Sequence, residues 1–120
     1  MMKGNTMNRQ RDLMQMLGVN IDTREFEYFR LSEVNYINLV RLRRNSEKIP
    51  IYHTAYGNYA PLLTLRDLDL SLRPHGFVLM DNSTLVNKRR IKSQVVTPHG
   101  KKITFVDNCE VNVSPRSRKK

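Results

Sequence analysis

Apolar and polar residues alternate with a period of two over much of the chain from Arg24 onward, the pattern of strands half-buried on a core. Glu25 to Leu31 alternates in part and is rich in aromatics, and Val34 to Leu42 follows with Tyr36, Leu39, Val40 and Leu42 apolar. Arg43-Arg44-Asn45-Ser46 reads as a polar turn. Ile49 to Ala55 is a strand interrupted by Pro50, which predicts an edge position because proline donates no ladder hydrogen bond. Tyr56-Gly57-Asn58-Tyr59 is a tight turn in which Gly57 or Asn58 can take positive φ.

The period changes at Thr64. Leu65, Leu68 and Leu72 fall at spacings of three and four, Thr64 can cap the first turn, and Asp67 suits its dipole, so a helix runs from Thr64 to Leu72 and stops at Pro74. Short strands then return at Phe77 to Met80, Thr84 to Val86 and Ile91 to Val96, followed by a turn at Thr97-Pro98-His99-Gly100. Lys102 to Val106 and Glu110 to Val113 pair as a hairpin around Asp107-Asn108. Tyr36, Phe77, Leu79, Val86, Ile91, Ile103 and Phe105 are candidate core, and Asn87 is placed to tie a turn after Val86. Before this region, Arg9 to Leu17 puts Leu13, Met14 and Leu17 on one side ahead of Gly18, which predicts a short helix in an extension over 1–22. The expected organisation is that extension, one domain over 23–117, and a basic tail at 118–120. The fold class is mainly β with one short α-helix.

A length of 120 residues fits one domain with a modest core. No apolar run of about 18 residues is present, so no membrane association is expected. The start MMKGNTMNRQRD has no apolar signal core, and the single cysteine, Cys109, excludes an internal disulfide. Together these point to the cytoplasm. Charge changes the picture more. The chain carries +10, and residues 87–120 hold ten basic side chains against Asp107 and Glu110, a local net of +8. Such a segment attracts polyanions in a salt-dependent way.

Catalytic and metal chemistry is thinly represented. His53, His75, His99 and Cys109 are scattered without zinc-ligand spacing, and no phosphate-cradling glycine loop or nucleophile elbow occurs. A binding module without cofactor or metal is the stronger expectation, and an enzyme the weakest.

Several segments together resemble the LytTR family of DNA-binding domains. Leu31-Ser32-Glu33-Val34-Asn35-Tyr36-Ile37 resembles its opening motif, and Tyr52 to Tyr59 the strand and turn that follow. Thr64 to Leu72 resembles its leucine-bearing helix. The most specific match is Phe77 to Asn87, where the family has a phenylalanine, a His-Arg-Ser or His-Asn-Ser triplet, an aliphatic residue, Val and Asn. Val113-Ser114-Pro115-Arg116 resembles its closing Val-Ser-x-Arg.

The resemblance implies an elongated arrangement of antiparallel sheets that contacts double-stranded DNA through loops in the major groove, commonly in pairs on direct repeats, in bacterial transcription regulation. Most members follow a receiver domain. This chain has no room for one, so a stand-alone domain or a fragment is expected. By position, Asn82 would reach base edges, where its amide suits adenine. Ser83 would meet phosphate, and Arg116 would grip guanine, flanked by Ser114 and Ser117 on the backbone. Arg43 and Arg44 fall near a third DNA-facing loop, and Lys88 and Arg118 add phosphate contacts. The family histidine before Asn-Ser is Asp81 here. A carboxylate at that position would accept from a cytosine amino group or pair with Arg116 or Lys88. A homodimer on DNA and a protein partner supplying the input signal are compatible with this reading. The rival is a protein-interaction module of the same fold that antagonises or assists another regulator. An RNA-binding protein is a third reading, set back by the lack of a row of stacking aromatics.

Overall fold

The computed structural model describes residues 14–61 and 63–115. Among the described residues, ten strands form two antiparallel sheets in a body of 47 × 34 × 27 Å. The strands are β1 (Gln15–Asn20), β2 (Phe26–Arg30), β3 (Val34–Arg41), β4 (Lys48–Thr54), β5 (Asn58–Ala60), β6 (Phe77–Asp81), β7 (Thr84–Asn87), β8 (Ile91–Thr97), β9 (Gly100–Phe105) and β10 (Glu110–Val113). The larger sheet runs β2-β1-β5-β4-β3-β7-β6 and the smaller β10-β9-β8. The α-helix among the described residues, α1 (Leu65–Leu72), packs on one face of the large sheet, and the small sheet packs on the other.

The two faces follow from strand alternation. In β3, Ile37 joins a cluster with Leu68, Leu72, Phe77 and Leu85 under the helix, while its neighbour Tyr36 packs with Val86, Ile103 and Phe105 beneath the small sheet. In β7, Leu85 and Val86 divide the same way, which is why all four residues of that strand are buried. A strand covered on both faces reads as continuous rather than alternating. The predicted core residues Phe77, Val86, Ile103 and Phe105 are fully buried, and Tyr36, Leu79 and Ile91 pack against them partly exposed.

The helix begins as expected, with the Thr64 hydroxyl accepting from the Asp67 amide at 3.1 Å. Pro74 does not end it alone. The chain tightens into a 3-10 turn over Arg73–His75, and Gly76 closes it in the left-handed region at φ 95.

Three expectations are corrected. Leu17 and Gly18 lie in β1, not in or after a helix, and β1 is an integral strand paired with β2 and β5 rather than part of an appendage. The helical spacing rested partly on Leu13, which with Arg9 to Asp12 lies outside the described residues. Within β1 the cross-strand pairs Leu17–Tyr28 and Met16–Phe29 decide the conformation instead. Second, β4 is interior, between β5 and β3. Pro50 is tolerated because β5 reaches only Tyr52 and His53, so the Pro50 end of β4 has β3 as its single neighbour. Third, Gly57 and Asn58 do not take positive φ. The Thr54 hydroxyl accepts from the amides of Tyr56 and Gly57 at 3.0 Å each and holds that turn without it.

Candidate nucleic-acid interface

Three connections meet at one end of the large sheet. β3 and β7 run antiparallel, with Asn38 opposite Thr84, so the end of β3 and the start of β7 lie together. The Leu39 amide donates to the Ser83 carbonyl at 3.1 Å, which seats the Asn82-Ser83 turn against β3. The β3–β4 hairpin continues past that turn, pairing Val40 with Ile49 and Arg41 with Lys48. Arg43 and Arg44 therefore lie in the hairpin loop beyond Ser83, past the Val40–Ile49 and Arg41–Lys48 pairs. Both are exposed. Their loop is closed by Ser46, whose hydroxyl accepts from the Arg43 amide at 3.1 Å and whose carbonyl accepts from the Arg41 guanidinium. The third connection is Ser114, exposed just after β10.

Asp81 binds two of these connections together. Its carboxylate accepts from the Ser83 amide at 2.9 Å through one oxygen and from the Ser114 amide at 2.9 Å through the other. The residue is 9% exposed. Burial pushes its pKa up, but hydrogen bonds from the Ser114 and Ser83 amides and from the Thr84 and Ser83 side chains outweigh that and hold it below the usual carboxylate value. Of the roles expected for Asp81, the pair with Lys88 is not formed: the carboxylate faces inward, as a bracket between the Asn82-Ser83 turn and the Ser114 segment, while Arg116 lies outside the described residues. The signal was present in sequence as Asp-x-Ser, a common side-chain-to-backbone turn, but the 33-residue reach to Ser114 was not.

The other site residues divide. Asn82 is exposed at the tip of its turn, and Ser83 is half-buried, its amide and hydroxyl already engaged by Asp81. Lys88 is exposed but lies at the far end of β7, where its amide donates to the Gly76 carbonyl at 2.9 Å. The β6–β7 hairpin thus separates it from Asn82 by roughly 15–20 Å. Its neighbour Arg90 is committed to a structural network with Asn35, Ser32 and Asp107. Arg116, Ser117 and Arg118 lie outside the described residues. Sequence reading placed a turn at Thr97 to Gly100 but gave it no part in the site; the structure brings this β8–β9 turn beside Ser114 through the approach of Gly100 to Val113, and it exposes His99 and Lys101 at the same end.

The bracket has a measurable weight. Asp81→Asn should lower stability by about 1.5–3 kcal/mol, the range for hydrogen bonds to a charged group, since an amide nitrogen would meet one of two N–H donors. Urea denaturation would show it, and an unchanged midpoint would remove the bracket.

A mainly β body that gathers exposed loops and basic side chains at one end, with its helix packed on a sheet face, has the form of a loop-reading nucleic-acid-binding domain. Residues 24–120 match the LytTr DNA-binding domain family, and the chain belongs to it. A solved structure, the LytTr DNA-binding domain of a Bacillus cereus protein described as a methyl-accepting/DNA response regulator, superposes with a TM-score of 0.65 at 17% identity, over 83% of this chain and 85% of that one. Among curated proteins, none matches the chain at a significant level. The family is one of DNA-binding domains and not of enzymes, and transcription regulation is typical of it. β1 precedes the matched segment yet is part of the sheet. No helix among the described residues is long and apolar enough to cross a membrane.

Proposed function

We propose that this chain reads double-stranded DNA in a sequence-dependent way through the loop end of its large sheet, as a bacterial transcription regulator. The observation that carries this is the Asp81 bracket, which fixes the Asn82-Ser83 turn relative to Ser114 before any ligand arrives. Preorganised loops bind with less ordering cost. The inward carboxylate, engaged by two backbone amides, also supports DNA binding, since it does not face outward at the tip of the turn.

With Asn82 at base edges in the major groove, the arginines further out on the β3–β4 hairpin loop are suited to the flanking phosphate backbone. Asn82 then specifies, Arg43 and Arg44 position, and Arg116 adds a second reading contact. Lys88, at the other end of the hairpin, is left out of this contact set.

Selection of sites from a random duplex pool, followed by titration over a range of salt, tests the reading. Asn82→Ala should cost about 1–3 kcal/mol on the selected site and little on scrambled DNA. Arg43→Ala should weaken both duplexes alike and reduce the salt slope by about 1, whereas Lys88→Ala should leave the slope unchanged. Equal losses for Asn82→Ala on both duplexes would overturn base reading, and failure to bind any duplex would favour a protein-interaction role.

A further inference from the structure

The opposite edge of the large sheet has a different character. Among the described strands, β2 is its terminal one and pairs with β1 alone. Asn20 donates to Glu25 at 2.9 Å and Leu31 to Met14 at 3.0 Å, so the hydrogen-bonded pairs of this ladder fall at Glu25, Glu27, Phe29 and Leu31. By antiparallel alternation, the N–H and C=O groups of Phe26, Tyr28 and Arg30 point away from the sheet. Among the described residues, nothing pairs with them. On the face that these residues share with Leu17, Phe26 is 67% exposed, Tyr28 69% and Leu17 52%.

Open edges are ordinarily guarded by proline, lysine or a bulge. β6, at the other edge, has a register shift between Leu79 and Asp81, and β8 has one between Ile91 and Ser93 with Lys92 inside it. β2 has an unbroken register and neither proline nor lysine. Its charge is also unlike the rest of the molecule. Residues 22–33 hold Asp22, Glu25, Glu27 and Glu33 against Arg24 and Arg30, a net of −2 within a chain of +10. Two copies repel less there than a uniformly basic surface would make them.

We propose that β2 pairs antiparallel with β2 of a second copy about a two-fold axis at Tyr28. This register exchanges all the outward backbone groups. Phe26 meets the partner's Arg30, the two Tyr28 residues face each other, and Arg30 meets the partner's Phe26. Six backbone hydrogen bonds form, and each guanidinium lies beside an aromatic ring of opposite electrostatic character. The pairing is self-complementary, which selects a second copy over an unrelated strand. A five-residue edge with two exposed aromatics is small, so the dimer is weak and concentration-dependent. The proposal rests on the fold and not on DNA reading, and β2 lies four strands from β3, roughly 19 Å at the usual spacing.

Sedimentation velocity of the full chain without DNA, from about 1 µM to about 1 mM, tests it, with amide hydrogen exchange by NMR at both ends of that range. The expected result is a monomer–dimer equilibrium, with the amides of Phe26, Tyr28 and Arg30 protected only at high concentration and those of Glu27 and Phe29 protected throughout. Tyr28→Lys and Tyr28→Pro should each abolish the dimer. Position 28 donates nothing to β1, so proline there removes only the outward donor, and the exposed lysine variant keeps the test open if proline unfolds the chain. A monomer over the whole range, or a dimer in which these amides exchange freely and Tyr28→Lys still associates, would overturn the proposal.

Discussion

Replacing Gly100 with alanine should destabilise the domain by about 2–4 kcal/mol and weaken DNA binding beyond what the stability loss explains. The residue sits at φ 136, where a side chain is strained, and a Cβ there would lie 2.0 Å from the Val113 carbonyl oxygen. Backbone cannot yield as the end of a flexible side chain can. The Val113-Ser114 segment would have to move, and it is the segment whose amide binds Asp81. The β8–β9 turn, the end of β10 and the Asn82-Ser83 turn are therefore one assembly. Denaturant unfolding gives the stability, and titration of a selected duplex at a temperature where the variant remains folded gives the affinity. Unchanged stability would show that the turn has room to withdraw from β10.

Asn35→Ala should cost about 2–4 kcal/mol, by another route. Asn35 is 1% exposed. Its amide donates to both Asp107 oxygens, at 3.2 and 3.0 Å, and its carbonyl accepts from Arg90 Nε at 2.7 Å. Arg90 goes on to the Ser32 carbonyl at 2.8 Å and to Asp107 at 3.2 Å. The group ties the start of β3 to the β9–β10 turn and so joins the two sheets. Removing the asparagine leaves a guanidinium and a carboxylate, each about one-fifth exposed, short of partners. A double-mutant cycle with Asp107→Ala should show the two losses coupled by about 0.5–3 kcal/mol, and simple additivity would refute the network.

The same carboxylate gives the pH dependence its sign. Burial raises the Asp107 pKa, but hydrogen bonds from Asn35, Cys109 and Arg90 bring it below the ordinary 3.8, and Asp81 is also lowered. A depressed folded pKa stabilises in full above the unfolded value and loses that contribution as pH falls through the folded one. Stability from both aspartates should be intact at neutral pH and fade below 3.8.

Much of the fold was legible because burial on one face leaves a period. The strand at Val34, the Thr64 cap and the leucine spacing of α1 are local patterns of this kind, whereas in β2 the alternating Phe26 and Tyr28 lie on the open face and only Phe29 is buried. Gly18 misled because glycine marks both helix ends and places where another residue comes close: here a Cβ would meet the Phe29 ring at 3.0 Å. Asn87 kept its predicted turn-tying role, accepting from the Arg89 amide at 3.1 Å. Its second bond, from Nδ2 to the Val34 carbonyl at 3.0 Å, spans 53 residues and has no local trace.

The sequence by itself determined the strand-rich class, the helix from Leu65, the basic charge and the order of motifs, since each depends on neighbours within a few residues. The tertiary structure decided which side chains meet. It separated Lys88 from Asn82 although six positions divide them, because a strand carries the chain straight across the sheet. It joined Asp81 to Ser114 and Asn35 to Asp107 across 33 and 72 positions. Those pairings arise because a buried polar group takes whatever partner the packed strands bring within hydrogen-bond reach, and sequence distance does not enter that choice.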